Sequence, residues 1–155
     1  MSKSHIIIEG YRIPLNFFYI YFLAMRERRV VARLDLRPEI LDLALYAGDG
    51  ISFRMICTDA NNEPVDISGD VKAQIRVHKA DPDPPVETFS VNVVDASSGI
   101  IYISLTGIQT QNLMTNPATV DGRFLGVWDV QWTKAGSQPR TICVGQVDCV
   151  GDVTR

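Results

Sequence analysis

Two histidines, three cysteines and a scatter of carboxylates are the groups in this 155-residue chain that could take part in chemistry. A Ser/His/Asp or Cys/His centre needs a histidine within hydrogen-bond reach of its nucleophile. His5 lies in an N-terminal arm, and His78 falls on the polar face of a predicted strand beside Lys79, with no partner suggested by the sequence. Cys57, Cys143 and Cys149 form no CxxC and no Cys/His cluster, so neither a zinc pattern nor a disulfide framework is present. Cys143 and Cys149 share a predicted strand and would stand about 20 Å apart along it, which prevents their pairing. A pairing of one of them with Cys57 across sheets stays open, and buried free thiols are the default. Asp59, Asp66, Asp70, Asp81, Asp83 and Asp95 sit in predicted turns. They lack EF-hand spacing, and Asx-turn and capping roles account for most of them. Nothing singles out a carboxylate pair for glycoside hydrolysis. Gly48-Asp49-Gly50 is too short for a phosphate loop and has no helix after it. The expectation is a chain that is not an enzyme, with no catalytic, cofactor-binding or metal-binding residues.

Composition restricts the remaining classes. Hydrophobic residues make up 46% and charged residues 21%, as in ordinary globular domains. The net charge of −3 conceals an asymmetry. Residues 1–37 carry seven basic and three acidic side chains (+4), while residues 38–155 carry eight basic and fifteen acidic ones (−7). An acidic body argues against a nucleic-acid footprint. The positive charge is concentrated in Arg26, Arg28, Arg29, Arg33 and Arg37, a run suited to an acidic neighbour or to solvent. Upstream, Ile13 to Met25 is a run of about thirteen mostly apolar positions, shorter than the roughly 20 needed to span a membrane. Its basic flank follows it, and no small-x-small cleavage site is present, so it does not read as a secretory leader. Residues 1–40 are expected to form an irregular or partly helical N-terminal arm. Within it, residues 1–24 are either a docking element or upstream codons ahead of a start at Met25.

The elements that would position these groups are strands. Ile51, Phe53, Met55 and Cys57 alternate with polar positions, as do Val71, Ala73, Ile75 and Val77, then Phe89, Val91 and Val93, then Ile101, Ile103 and Leu105. This period-2 pattern gives strands with one buried face each, stacked in two layers. Turn signals separate them at residues 59–64, 81–85 and 95–99. Thr106-Gly107-Ile108-Gln109 matches a capping box and predicts one short helix over about residues 107–115, ending before Pro117. Trp128, Val130 and Trp132 share one face of a later strand, and a last strand is expected from Arg140 to Val150. Two tryptophans on one face could form a ligand platform, but Trp and Val at period 2 are also what a sandwich core requires. The predicted core contains Phe53, Ile75, Val77, Phe89, Ile103, Trp128 and Val130. The fold class is all-β, with an antiparallel β-sandwich over residues 41–155.

Several motifs occur in a suggestive order. Leu45-Tyr46-Ala47-Gly48-Asp49-Gly50 precedes Phe53-Arg54, then come Asn62-Glu63-Pro64-Val65-Asp66-Ile67-Ser68-Gly69 and Ala73-Gln74-Ile75-Arg76. Ser98-Gly99-Ile100-Ile101, Gly126-Val127-Trp128-Asp129-Val130-Gln131, Gly145-Gln146-Val147 and Asp152-Val153-Thr154-Arg155 follow. Together, over about residues 41–155, they resemble the immunoglobulin-like domain of phage minor tail proteins and of the N-terminal domain of baseplate upper proteins. The resemblance implies an immunoglobulin-like sandwich serving as a structural virion subunit, made in the host cytoplasm and located in the tail. Its partners would be other tail or baseplate proteins, with a homo-oligomer in the particle, no cofactor, no nucleic acid and no membrane span. The segment before residue 41 has no counterpart in the family pattern.

Open sheet edges can be extended by a neighbour's strand, and Leu34 to Ile40 and Gly151 to Arg155 are the expected candidates. The assembly interface is expected at Arg26, Arg28, Arg29, Arg33 and Arg37. Two alternatives remain: a carbohydrate- or receptor-binding module at the tail tip, using Trp132 or Tyr102 on a host-surface glycan, and a head decoration protein.

Overall fold

A computed structural model describes residues 5–8, 11–14, 28–33 and 37–151. Alternation of apolar and polar side chains builds most of the strands. In β6 (Ile51–Thr58), Ile51, Phe53, Met55 and Cys57 point inward, and the residues between them point outward. In β10 (Ile100–Leu105), Ile101, Ile103 and Leu105 do the same. These two strands pair antiparallel, with Ile103 opposite Phe53. β9 (Ser90–Asp95) continues the sheet on the far side of β10, and β3 (Arg28–Arg33) adds to β6 in parallel, giving the order β3-β6-β10-β9.

The second sheet is built on β11 (Arg123–Thr133) and β12 (Arg140–Val150), a long antiparallel pair. β7 (Asp70–Arg76) pairs with the other side of β11, and the short β8 (Glu87–Thr88) lies outside β7. β4 (Glu39–Ile40) and β5 (Leu43–Tyr46) both run parallel to β12. The strand order is therefore β4-β12-β11-β7-β8, with β5 beside β12 beyond β4. The chain changes sheets between β3 and β4, β5 and β6, β6 and β7, β8 and β9, and β10 and β11. Two faces pack on one core, making the protein an all-β sandwich with one short helix, α1 (Gly107–Leu113). β1 (His5–Ile8) and β2 (Tyr11–Pro14) pair antiparallel as a separate two-stranded ribbon.

Trp128 lies at the centre. Its ring meets Phe53 of the opposite sheet edge-on, with centroids 5.9 Å apart, and Phe89 at 5.4 Å. Its indole N–H donates to the Leu41 carbonyl at 2.7 Å inside the core. Phe53, Ile75, Phe89, Ile103, Trp128 and Val130 are buried, and Val77 is half-buried against them. Val93, expected inward, is 37% exposed, because β9 is an edge strand with no neighbour to cover its outer side.

Two features depart from the sequence expectation. The sheets are mixed, since β3 pairs parallel with β6 and both β4 and β5 pair parallel with β12. The segment before residue 41 is also not an irregular or partly helical arm where it is described. Residues 28–33 and 39–40 are strands of the two sheets, and Val30 and Ala32 are buried in the common core. The signal lay in Arg29-Val30-Val31-Ala32, where two small apolar residues at period 2 were masked by their arginine neighbours. Deleting residues 1–40 would thus remove four strands, two of them from the sheets of the sandwich.

Candidate assembly surfaces

The groups that could do chemistry are dispersed or buried. His78 is exposed in a bend after β7, and His5 lies in β1. Among the described residues no group of three His, Cys, Asp or Glu side chains could hold a metal ion. Cys57, Cys143 and Cys149 are free and buried. Burial pushes the Cys57 and Cys149 thiols up to about 12, and raises Cys143 for the same reason. A thiol held so high is a poor nucleophile at neutral pH, because the thiolate is the reactive form. No described helix is long and apolar enough to cross a membrane.

The turn carboxylates have local work. Asp59 accepts from the backbone N–H groups of Asn61 (2.8 Å) and Glu63 (2.9 Å). Asp66 accepts from the Ser68 hydroxyl and from its N–H (2.8 Å), and these bonds hold its carboxyl below the usual range. Asp95 is likewise lowered, first by the Ser97 hydroxyl at 2.7 Å and then by Ser98. Asp83 N–H donates to Asp81 at 3.0 Å, and Asp70 pairs with Lys72 at 2.9 Å.

Gly48-Asp49-Gly50 forms a turn anchored to α1. The buried Thr110 hydroxyl accepts from Gly48 N–H at 3.0 Å and donates to the Asp49 carbonyl at 2.9 Å. Thr106 caps the helix with the reciprocal bonds of the capping box, its N–H donating to Gln109 Oε1 at 3.0 Å. Gly145 has a similar packing role. A Cβ there would lie 1.7 Å from the Leu41 carbonyl oxygen, so only glycine lets β12 approach that backbone.

What remains exposed is the outer face of each sheet. On the six-stranded sheet, Ile40, Tyr46 and Leu125 are exposed among charged side chains. The cations there have partners. Arg123 holds Asp148 through two bonds, one of them 2.7 Å, and Arg76 donates to the carbonyls of Asp81 (3.1 Å) and Asp83. Asp129, between β7 and β12, is raised by desolvation, opposed by the Gln131 amide at 3.0 Å and by Arg76.

The outer face of the four-stranded sheet differs. Phe53 and Met55 point inward, so Arg54 points outward, in register with Arg29 of β3 on one side and Tyr102 of β10 on the other. Asn92 of β9 completes the row. Of the arginines expected at an interface, Arg29 is exposed on this face and Arg37 is exposed before β4. Arg28 and Arg33 stand in register with Phe53 and Thr58, and Arg26 lies outside the described residues. Asp152 to Arg155 also lie outside them. In the sequence Arg54 stands out from its Phe53-Arg54 motif only by its outward parity within an otherwise apolar-in strand.

Of the rings offered as a glycan platform, Trp132 is half-buried and donates its indole N–H to the Ser68 carbonyl at 3.1 Å. Tyr102 is half-buried in the arginine row.

No protein-family profile matches the chain, and no curated protein sequence does. Among solved structures, the N-terminal domain of phage TP901-1 ORF48 is similar at 14% identity and a TM-score of 0.38, covering 83% of this chain and 99% of that one. The bradyzoite-specific antigen BSR4 from Toxoplasma gondii is similar at 12% identity and a TM-score of 0.36, covering 84% of this chain and 51% of that one.

Proposed function

We propose that the protein is a structural subunit of a tailed-phage virion, a minor tail or baseplate component that acts by protein–protein assembly and catalyses no reaction. The observation that carries this reading is where the motifs shared with phage tail domains fall in the sandwich. Gly48 sits in the turn tied to Thr110, Trp128 at the core centre, and Gly145 at the close approach to Leu41. The resemblance thus rests on residues that specify an architecture. The strand orders β6-β10-β9 and β12-β11-β7-β8 agree with the two sheets of a variable-type immunoglobulin sandwich, which supports the immunoglobulin-like assignment.

Peptide mass spectrometry on purified particles from the source tests the proposal. Stoichiometric peptides from residues 28–151 are the expected result, and their absence from particles would overturn it. Binding to a host glycan is the competing reading. It would require a free aromatic platform, and the Trp132 indole N–H is already engaged with Ser68.

A further inference from the structure

The arginine row on the four-stranded sheet is an arrangement that folding alone would not select. Arg29 and Arg54 occupy directly opposed positions on neighbouring parallel strands, which lie about 4.8 Å apart. Like charges so placed are destabilising. The Arg54 Nε is buried without a hydrogen-bond partner, and among the described residues neither guanidinium has an ion-pair partner. Among the described residues no carboxylate pairs with either of them. Asp59 is five residues along β6 from Arg54, about 16 Å away at strand rise, and Asp95 is committed to Ser97 and Ser98. On one side of the row lie Val31, Ile56 and Ile100, half-buried in register; on the other lie the hydroxyls of Ser52, Ser104 and Ser90. An apolar strip beside two arginines and a tyrosine has the composition of an interface core with charged anchors.

The complementary surface is on the same chain. The β6–β7 loop and the β9–β10 turn meet through the Ile67 N–H and the Ala96 carbonyl at 3.0 Å, forming one end of the sandwich. This end carries Asp59, Glu63, Asp66 and Asp95; Lys134 acts on Asp66, Arg33 is in register with Thr58, and Arg140 stands opposite Trp132. The serine bonds hold the Asp66 and Asp95 carboxyls below the usual carboxylate range.

We propose that the Arg29–Arg54 row of one copy receives the acidic loop end of a second copy, a head-to-tail contact between identical chains. Because the two surfaces differ, the contact is heterologous and produces a ring where the rotation closes and a filament where it does not. The inference specifies a partner for the assembly function proposed above, and its test in solution is independent of whether particles contain the chain.

Sedimentation velocity of the purified full-length chain at about 0.1 M and about 1 M salt, where the screening length falls from ~10 Å to ~3 Å, is the first measurement. Association at the lower salt that weakens at least ~10-fold at the higher is expected. Arg29→Glu with Arg54→Glu should abolish it, as should Asn61→Lys with Glu63→Lys, which removes most of the charge of the acidic end without touching the Asp59 and Asp66 turn bonds. An equimolar mixture of these two variants should associate again, because the unchanged acidic end of the first can meet the unchanged arginine row of the second. Arg29→Gln with Arg54→Gln should also weaken association while leaving the thermal midpoint unchanged or higher. A wild-type chain that is monomeric at low salt would overturn the proposal, as would arginine variants that still associate or a mixture that stays monomeric. A midpoint lowered by several degrees in the glutamine variant would assign the row to folding instead and overturn it equally.

Discussion

The outer faces of the two sheets solve the same problem differently. On the six-stranded sheet each of Lys72, Arg76 and Arg123 is neutralised or hydrogen-bonded within the chain, by Asp70, by the loop carbonyls of Asp81 and Asp83, and by Asp148. On the four-stranded sheet Arg29 and Arg54 stand side by side with no such partner among the described residues. The first face is complete as a monomer's surface, even with Leu125 and Ile40 exposed, since isolated apolar side chains on a surface are ordinary. The second carries a local electrostatic cost that an outside carboxylate would relieve. Unsatisfied charge, more than exposed hydrophobicity, is what distinguishes the two faces.

Both faces depend on one core, so its loss is the most damaging perturbation. Trp128→Ala removes the ring that bridges Phe53 and Phe89 and leaves the Leu41 carbonyl without its donor. A loss of about 3–5 kcal/mol is expected in chemical denaturation. A stable, soluble variant would mean that the two faces do not share a core through this residue. Next in size is Gly145→Ala, which places a methyl group against the Leu41 carbonyl and forces β4 and β5 away from β12. Overpacking of this kind costs about 1–3 kcal/mol, and denaturation of the variant should show it. The four-stranded face should keep its structure better than the six-stranded one, visible as amide exchange that accelerates first in residues 39–46.

Much of this architecture was legible in the sequence because sandwich strands advertise themselves by period 2. Phe53, Ile75 and Ile103 could be assigned to the interior from alternation alone, and the Thr106/Gln109 capping box located the helix start. Parallel edge strands were not legible. β3 is short, basic and far in sequence from its partner β6, and among its described side chains Val30 and Ala32 point inward. Val93 failed for a related reason: parity tells which face a side chain takes, but not whether the strand has a neighbour to cover it. The paired row Arg29–Arg54 was equally hidden, because register between strands that are 25 positions apart is a tertiary property.

The contrast between the faces is sharpened by matched substitutions in their arginines. Arg76→Met removes the donors that hold the Asp81–Asp83 loop, and the loss of these bonds to backbone carbonyls should cost about 1 kcal/mol in the isolated chain. Arg54→Met removes a guanidinium whose Nε is buried without a partner and which faces Arg29, so it should cost nothing or stabilise. Thermal melts of the two proteins at low concentration read the difference directly. Equal destabilisation would erase the distinction drawn between the faces.

The smallest effect concerns Asp129, the one carboxylate of the six-stranded face whose surroundings work against its charge. Desolvation raises its pKa in the folded chain, with the Gln131 amide and Arg76 opposing. An acid with a raised folded pKa is most compatible with folding when protonated. Its penalty is absent below the unfolded value near 3.9, grows as pH rises through the interval up to the folded pKa, and is constant above it. Asp129→Asn keeps an oxygen for the Gln131 amide and removes the charge. The variant should melt above the wild type at pH 7 and level with it near pH 3. Asp66 and Asp95 have the opposite sign: their folded pKa values are lowered, so the stability they contribute is present above about 3.9 and disappears as pH falls through the folded values. Asp66→Asn should therefore lower the midpoint at pH 7 and converge with wild type in acid. If Asp129→Asn and Asp66→Asn shifted in the same direction at pH 7, one of the two would have been given the wrong balance of burial and hydrogen bonding.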